Sequence, residues 1–82
     1  DDSAEVLELV AAEDWKITGK AIKDLKLPVG VIIGALVNNG EVIIPRGNTI
    51  IGLGDIVIIF AQRKSIPKLE RYIGTPLASV DE

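Results

Sequence analysis

The sequence has 82 residues and a formal net charge of −3, which is enough chain for one globular domain and too little for two. An acidic chain with scattered lysines lacks the clustered Lys and Arg that binding to a nucleic acid polymer requires, so no such partner is expected. The sequence contains no Cys and no His, which removes disulfides, thiolate metal sites, thiolate nucleophiles and the base of a catalytic triad.

The apolar content is high and almost entirely aliphatic. Hydrophobic residues make up 48% of the chain and aromatic residues 4%, a balance that favours strands rich in Val and Ile. The longest apolar runs, Val29–Val37 and Ile56–Ala61, are far shorter than the ~20 residues that span a bilayer. No signal peptide is recognisable. We therefore expect neither direct membrane insertion nor secretion.

Residues 4–12 predict the first strand. Leu7 and Leu9 fall on one face, whereas Val6 and Val10 fall on the other, because alternate side chains of a strand point to opposite sides. Since both faces are apolar, we expect this strand to lie inside a sheet and not at its edge.

A short helix is predicted next. Ile17, Ala21, Ile22 and Leu25 follow a helical spacing, which gives an amphipathic stripe. Thr18 or Gly19 would begin this helix, and Pro28 would end it, because proline is not accommodated in a helix interior.

The middle of the chain predicts a β-hairpin. An apolar run from residue 31 to 37 is followed by Asn39-Gly40 and then by a second run over residues 41–44. Asn and Gly tolerate the positive φ angles of a two-residue turn. Pro45 would end the second strand, because it has no N–H to donate.

The last third predicts a short strand over residues 49–51, a longer strand over Ile56–Ala61 and a final helix. Ser65 is the predicted N-cap, Pro67 lies in the first turn, and Gly74 is the predicted C-terminal stop. The apolar stripe of this helix comprises Ile66, Leu69 and Ile73.

These elements define the predicted fold class as α+β. We expect a small, mostly antiparallel sheet in β-α-β-β-β-α order, with two short helices packed on it. The predicted domain covers residues 4–74, and residues 1–3 and 75–82 are expected to be ragged termini.

The candidates for catalysis or metal binding are weak. The carboxylate pairs Asp1-Asp2, Glu13-Asp14 and Asp81-Glu82 lie in termini or a loop, where solvated charge is the usual explanation. Gly52-Leu53-Gly54 lacks the third glycine and the following helix of a dinucleotide fingerprint. We therefore predict a turn that Asp55 caps, no metal and no catalytic residue.

Three side chains leave alternatives open. Lys20 and Arg46 each adjoin glycine, so they are either surface charges or contacts for an anionic ligand. Trp15 either covers the core or lies in a contact between subunits, because large aromatic residues are enriched in both places.

The strands are apolar on both faces, and two short helices can cover only part of that area. The remaining surface is therefore expected to meet a second subunit. The alternative is that both helices suffice and the domain is a monomer.

Three segments resemble the TrkA C-terminal (RCK_C) domain family. Gly19–Leu25 resembles the first helix of that family, Gly40–Thr49 its hairpin segment, and Gly54–Phe60 its glycine- and aspartate-initiated strand. The likeness runs from about Ala4 to Ile73. It is the order and spacing of the three segments that make it specific.

The resemblance implies a non-enzymatic regulatory domain that pairs as a homodimer. Such domains follow an N-terminal RCK_N domain, and NAD or ATP is expected only in that domain, with no cofactor in this one. They serve potassium channels and transporters through a membrane transport subunit, so a cytoplasmic location peripheral to the inner membrane is implied. They also occur inside other membrane transporters, which is an alternative setting for this chain.

Some family members bind cyclic di-AMP at the dimer seam, so a small-molecule sensor is the alternative function. The family tends to have an acidic residue and an arginine after the first helix, where this chain has Lys26 and Pro28; this difference argues against that ligand. The candidate ligand-binding residues are Ile22, Leu25, Leu27, Ile32, Pro45 and Arg46.

Overall fold

The computed structural model describes residues 3–77. The chain forms a four-stranded antiparallel sheet, one α-helix and two 3-10 turns, the second of which leads directly into the helix; this confirms the α+β class. The elements are β1 (Ala4–Val10), a 3-10 turn (Ile22–Asp24), β2 (Val31–Asn38), β3 (Glu41–Ile43), β4 (Ile56–Gln62), a second 3-10 turn (Arg63–Ser65) and α1 (Ile66–Ile73).

The strands lie in the order β1-β4-β2-β3, so β4 and β2 are central while β1 and β3 form the edges. The prediction that β1 lies inside the sheet is wrong. Its two apolar faces reflect what lies above and below the sheet, whereas an edge position depends on pairing in the plane of the sheet. The predicted division of its side chains is correct, because Leu7 and Leu9 pack against the core and Val6 and Val10 are exposed.

The predicted hairpin is confirmed as β2 and β3. Asn39 and Gly40 have φ angles of 51° and 78°, the positive values that a two-residue turn of this kind needs. Pairing between β2 and β4 shifts between Ile33 and Ala35, so Gly34 is an extra residue in a β-bulge. The bulge changes the alternation of β2 and places both Ile33 and Leu36 on the core side.

The first predicted helix does not form, although the side chains of its predicted apolar stripe are buried or packed against the core. Only Ile22–Asp24 forms a single 3-10 turn, because the preceding backbone pairs with residues 49–51. Gly19 N–H donates to Ile51 O (2.7 Å) and Ile51 N–H donates to Lys20 O (3.0 Å), which holds the chain extended. The predicted strand over residues 49–51 is likewise reduced to one bridge between Ala21 and Ile50.

The final helix follows its predicted boundaries. Pro67 lies in its first turn, and Gly74 ends it in the left-handed region with a φ angle of 97°. Leu69 and Ile73 are fully buried. Ser65 occupies the N-cap position without capping the helix, because its Oγ donates to Val29 O (2.7 Å).

The core lies between one face of the sheet, here called the inner face, and the layer formed by α1 and the loops. Trp15 is 8% exposed and belongs to this core, which decides between its two alternatives. The largest fully buried side chains are Ile17, Leu36, Ile51, Val57, Ile59, Leu69 and Ile73.

The ends of the predicted domain, 4–74, stay a prediction. Of the predicted ragged termini, residues 1–2 and 78–82 lie outside the described residues, and with them the acidic pairs Asp1-Asp2 and Asp81-Glu82. Thr75 and Leu77 are tied to α1, because Thr75 N–H donates to Glu70 O (3.2 Å) and Leu77 N–H donates to Glu70 Oε2 (2.9 Å).

Candidate functional site on the uncovered sheet face

The second face of the sheet, here called the outer face, carries two rows of apolar side chains across the strands. In the first row Val10 lies opposite Ile56, Ile56 opposite Val37, and Val37 opposite Val42. In the second row Phe60 lies between Val6 and Ile32. The sequence produces these rows because antiparallel register places alternate residues of neighbouring strands side by side.

The outer face is open to solvent in the part of the chain that the structure describes. Val6, Ile32 and Val42 are 63%, 61% and 63% exposed. Ile56 and Phe60, on the central strand β4, are still 37% and 42% exposed. Large exposed apolar patches on soluble domains mark interaction surfaces, so this face is the principal candidate site.

Between the two apolar rows the face is partly polar. Glu8, Ile58 and Ala35 form this middle row. The ring of Phe60 lies over the bulge, since a Cβ at residue 34 would be only 2.2 Å from Phe60 Cε2. Gly34 therefore lets a large ring lie close against the backbone of β2.

A buried carboxylate fixes the loop that leads into β4. Asp55 is 5% exposed; its Oδ2 accepts from Gly52 N–H (2.8 Å) and its Oδ1 accepts from Asn38 Nδ2 (2.6 Å). The predicted turn cap is confirmed. The Asn38 contact was missed, because no local pattern shows that the end of β2 meets the start of β4.

Part of the predicted ligand groove comes together around the first 3-10 turn. Ile22 N–H donates to Thr49 O (2.9 Å) and Lys23 N–H donates to Gly47 O (2.7 Å), so Ile22 lies beside the loop that begins at Pro45 and Arg46. Pro45 is half-buried, whereas Arg46 is exposed. Leu25 and Leu27 follow the turn and pack against the core cluster.

Ile32 lies apart from the other candidates. Its partner across the sheet is Phe60 of the outer face, while Ile22, Leu25 and Leu27 contact the core on the inner side. Within one chain, the six predicted residues are therefore divided between two sides of the sheet. Lys20 and Arg46, for which the sequence left a surface charge and an anion contact as alternatives, are both exposed.

No group of three or more Asp or Glu side chains within residues 3–77 is arranged to hold a metal ion. None of the helices in the same range has the length and hydrophobicity needed to cross a membrane.

Comparison with known proteins gives a consistent result. Residues 6–74 match the family model for the TrkA-C domain. The chain is 38% identical over 71 residues to Trk system potassium uptake protein TrkA homolog 1 of Methanosarcina mazei, covering 87% of this chain and 16% of that protein. It is 40% identical over 73 residues to the TrkA homolog of Archaeoglobus fulgidus, covering 89% of this chain and 17% of that protein.

A solved structure agrees with the sequence relatives. The RCK C domain of the potassium transport protein KtrA, in complex with cyclic diadenosine monophosphate, is 31% identical, has a TM-score of 0.70, and is matched over 87% of this chain and 85% of that one. The chain thus spans about a sixth of the length of the two TrkA relatives, which it covers to 16% and 17%, but most of the KtrA domain. The sequence match and the shared fold together place this chain in the TrkA-C domain family.

Proposed function

We propose that this chain is a non-enzymatic regulatory domain of a potassium transport protein and that it acts by pairing with a second copy of itself. The observation that carries the proposal is the uncovered outer face in a chain of the TrkA-C family. The names of the relatives, which are Trk system potassium uptake proteins, supply the transport system.

The outer face suits a second copy of the chain because the apolar rows of one subunit can pack against the identical rows of the other. In a two-fold dimer each subunit presents one patch to the identical patch of its partner. The first row crosses all four strands and the second crosses β1, β4 and β2, while Glu8 lies on the edge strand β1, where it would remain exposed at the rim. An apolar centre with a polar rim is the usual anatomy of a protein interface.

The length of the relatives supports a proposal about partners beyond the dimer. Because this chain covers 16% of the Methanosarcina protein, most of such a protein lies outside it. We propose an N-terminal RCK_N domain of the same chain, which would hold NAD or ATP, and a membrane transport subunit as the other partners. This places the domain in the cytoplasm at the inner membrane, held there by that subunit.

Regulation then requires that the dimer transmit a change of state. Two subunits that pack through their sheet faces can rotate relative to each other as rigid bodies. A small rotation at the interface would then move the domains attached to each subunit. The chemistry of the chain suits this role, since the sequence has no Cys or His to serve as a nucleophile or base.

Sedimentation equilibrium of the 82-residue chain tests the dimer. Ile32→Glu places a charge in an apolar row, where its burial in an interface is unfavourable, so this variant is expected to sediment as a monomer while the parent chain sediments as a dimer. Leu53→Glu is the matched control, because Leu53 is 66% exposed and lies outside the sheet; it should leave the dimer intact. A parent chain that stays monomeric at high concentration contradicts the proposal.

A small-molecule sensor is the second candidate. The KtrA domain was solved in complex with cyclic diadenosine monophosphate, and in this chain Ile22 lies beside the loop that begins at Pro45 and Arg46. In a dimer, Ile32 of the outer face would belong to the seam, while the other five candidates would form a separate groove around the first 3-10 turn.

Isothermal titration calorimetry with cyclic di-AMP and with ATP tests the sensor. Heat with cyclic di-AMP that is lost in Arg46→Gln, and retained in the exposed control Arg71→Gln, supports a ligand at this loop. No heat with either nucleotide contradicts it and leaves the dimer proposal in place.

A further inference from the structure

A second concave surface begins at Pro28, directly after Leu27 of the predicted ligand groove, and shares no residue with that groove. It is a pocket of about 370 Å³ between the loop before β2, the end of β4 and the start of α1. This volume falls within the range of small-ligand sites, roughly 300–1,000 Å³. Its lining residues are Pro28, Val29, Gln62, Lys64, Ser65 and Lys68.

The wall of this pocket is held in place by internal contacts. Ser65, 5% exposed, donates from its Oγ to Val29 O (2.7 Å), and Gln62 N–H donates to Gly30 O (2.9 Å). A Cβ at residue 30 would lie 2.7 Å from both Gln62 Oε1 and Ser65 Oγ. Glycine at this position therefore lets the two polar side chains approach the backbone of the loop.

The pocket collects positive charge in an acidic protein. Lys64 and Lys68 are both exposed and line the same pocket four residues apart, an arrangement in which like charges repel. None of the six lining residues is acidic. Within residues 3–77, neither lysine has an ion-pair partner, because the ion pair in that range joins Arg63 to Glu5.

The carboxylates of Glu5 and Glu70 accept hydrogen bonds, whereas one polar side chain of the pocket wall does not take part in any within residues 3–77. Glu5 accepts from Arg63 Nε (2.9 Å), and Glu70, two residues after Lys68, accepts from Leu77 N–H (2.9 Å), so both carboxylates have partners outside the pocket. By contrast, the Gln62 side-chain amide has no hydrogen-bond partner in the described part of the chain. The pocket thus offers two ammonium groups and a free carboxamide.

We propose that this pocket binds a phosphate-bearing anion, with Lys64 and Lys68 as its charge partners and Gln62 as a further donor. Charge-assisted hydrogen bonds to phosphate oxygens would offset the repulsion between the two lysines. Pro28 and Val29, the latter 93% exposed, add an apolar wall against which the non-phosphate part of a ligand can lie. The phosphate can belong to a small soluble molecule or to a lipid headgroup.

The test uses two probes on the 82-residue chain in phosphate-free buffer. In the first, inorganic pyrophosphate is titrated while backbone amide shifts are followed by NMR. In the second, the chain is sedimented with phosphatidylcholine vesicles with and without phosphatidylglycerol. Both are repeated with Lys64→Gln/Lys68→Gln and with the control Lys16→Gln/Lys23→Gln, which removes the same charge from exposed positions outside the pocket.

The expected result is that pyrophosphate moves the amides of Val29, Gln62 and residues 64–68. The pocket variant should raise the dissociation constant about tenfold or more while the control leaves it within about twofold. Binding to the anionic vesicles that the pocket variant alone abolishes would identify a lipid headgroup as the source; pyrophosphate binding without vesicle binding would identify a soluble phosphate.

The proposal is overturned if both probes leave these amides and the sedimentation unchanged. Equal loss in the pocket and control variants would also overturn it, because that result reports general attraction between charges. These outcomes are independent of the dimer, which is read from the mass of Ile32→Glu.

Discussion

The inner and outer faces of the sheet are built from neighbouring residues of the same strands, but the inner face is buried and the outer face is exposed to solvent. In β4, Val57 and Ile59 are fully buried, while Ile56 and Phe60, beside them in sequence, are 37% and 42% exposed. Both sets are large and apolar, so residue type does not distinguish them. What differs is the covering layer: α1 and the loops lie on one face alone. A large apolar face without a covering layer is typical of a surface that binds a partner.

The strongest test of this difference makes the same substitution on each face. Ile59→Ala removes a side chain with 0% exposure and leaves a cavity, which should cost about 2–5 kcal/mol of the free energy of unfolding. Ile32→Ala, at 61% exposure, is the matched control and should cost far less in the monomer. Urea denaturation at low protein concentration measures both. Equal losses would show that the two faces are not energetically distinct.

The next test concerns the polar contact between Asn38, at the end of β2, and Asp55, directly before β4. Asp55→Ala leaves Gly52 N–H and Asn38 Nδ2 without their acceptor, which should cost about 1–3 kcal/mol in unfolding free energy. Asn38→Ala removes one donor and keeps the acceptor, so its effect should be smaller. A double-mutant cycle of the two changes, followed by thermal denaturation, isolates their coupling. No coupling would mean that this contact contributes nothing to stability.

Overpacking the outer face should have an intermediate effect. In Gly34→Ala, the new Cβ would lie 2.2 Å from Phe60 Cε2, so the ring must turn away. Because the ring is 42% exposed, the cost should be near the low end of the range for overpacking, about 1 kcal/mol. Phe60→Leu in the same chain should restore most of this loss, as measured by urea denaturation. Failure of the second change to restore stability would place the strain elsewhere.

The smallest effect is expected at the rim between the faces. Arg63 and Glu5 form an ion pair of 2.9 Å with side chains 61% and 35% exposed, and such surface pairs contribute about 0–1 kcal/mol. Glu5→Gln should therefore change the melting temperature hardly at all, and less still in high salt. A loss comparable to that of Asp55→Ala would contradict this ranking.

Local patterns in the sequence predict the features that depend on few neighbours. The Asn39-Gly40 turn, the stop at Gly74 and the buried stripe of Leu69 and Ile73 are confirmed because each depends on conformational preferences within a few residues. The alternation of β1 is confirmed for the same reason, since the period of a strand is fixed by its geometry.

Contacts between distant segments account for the errors. The helix predicted from Ile17 to Leu25 does not form because its backbone instead pairs with residues 49–51, and helical propensity over so short a segment is too weak to prevent that. The edge position of β1 likewise depends on strand order, which periodicity does not contain. For the candidate sites, the sequence indicated more apolar strand surface than two helices can cover. It did not show that this surface lies together on the outer face of the sheet. It also missed the pocket at Lys64 and Lys68, because Pro28 and Gln62 meet only in the folded chain.

The pairing of β1 has a consequence for how the chain assembles. Ala4 lies opposite Gln62 and Val10 opposite Ile56, so this ladder joins segments at nearly opposite ends of the described chain. The β2–β3 hairpin closes over two residues and forms on the microsecond scale of local elements, whereas joining distant segments carries a larger loop-closure entropy. β1 is therefore expected to pair with β4 after the β2–β3 hairpin has formed.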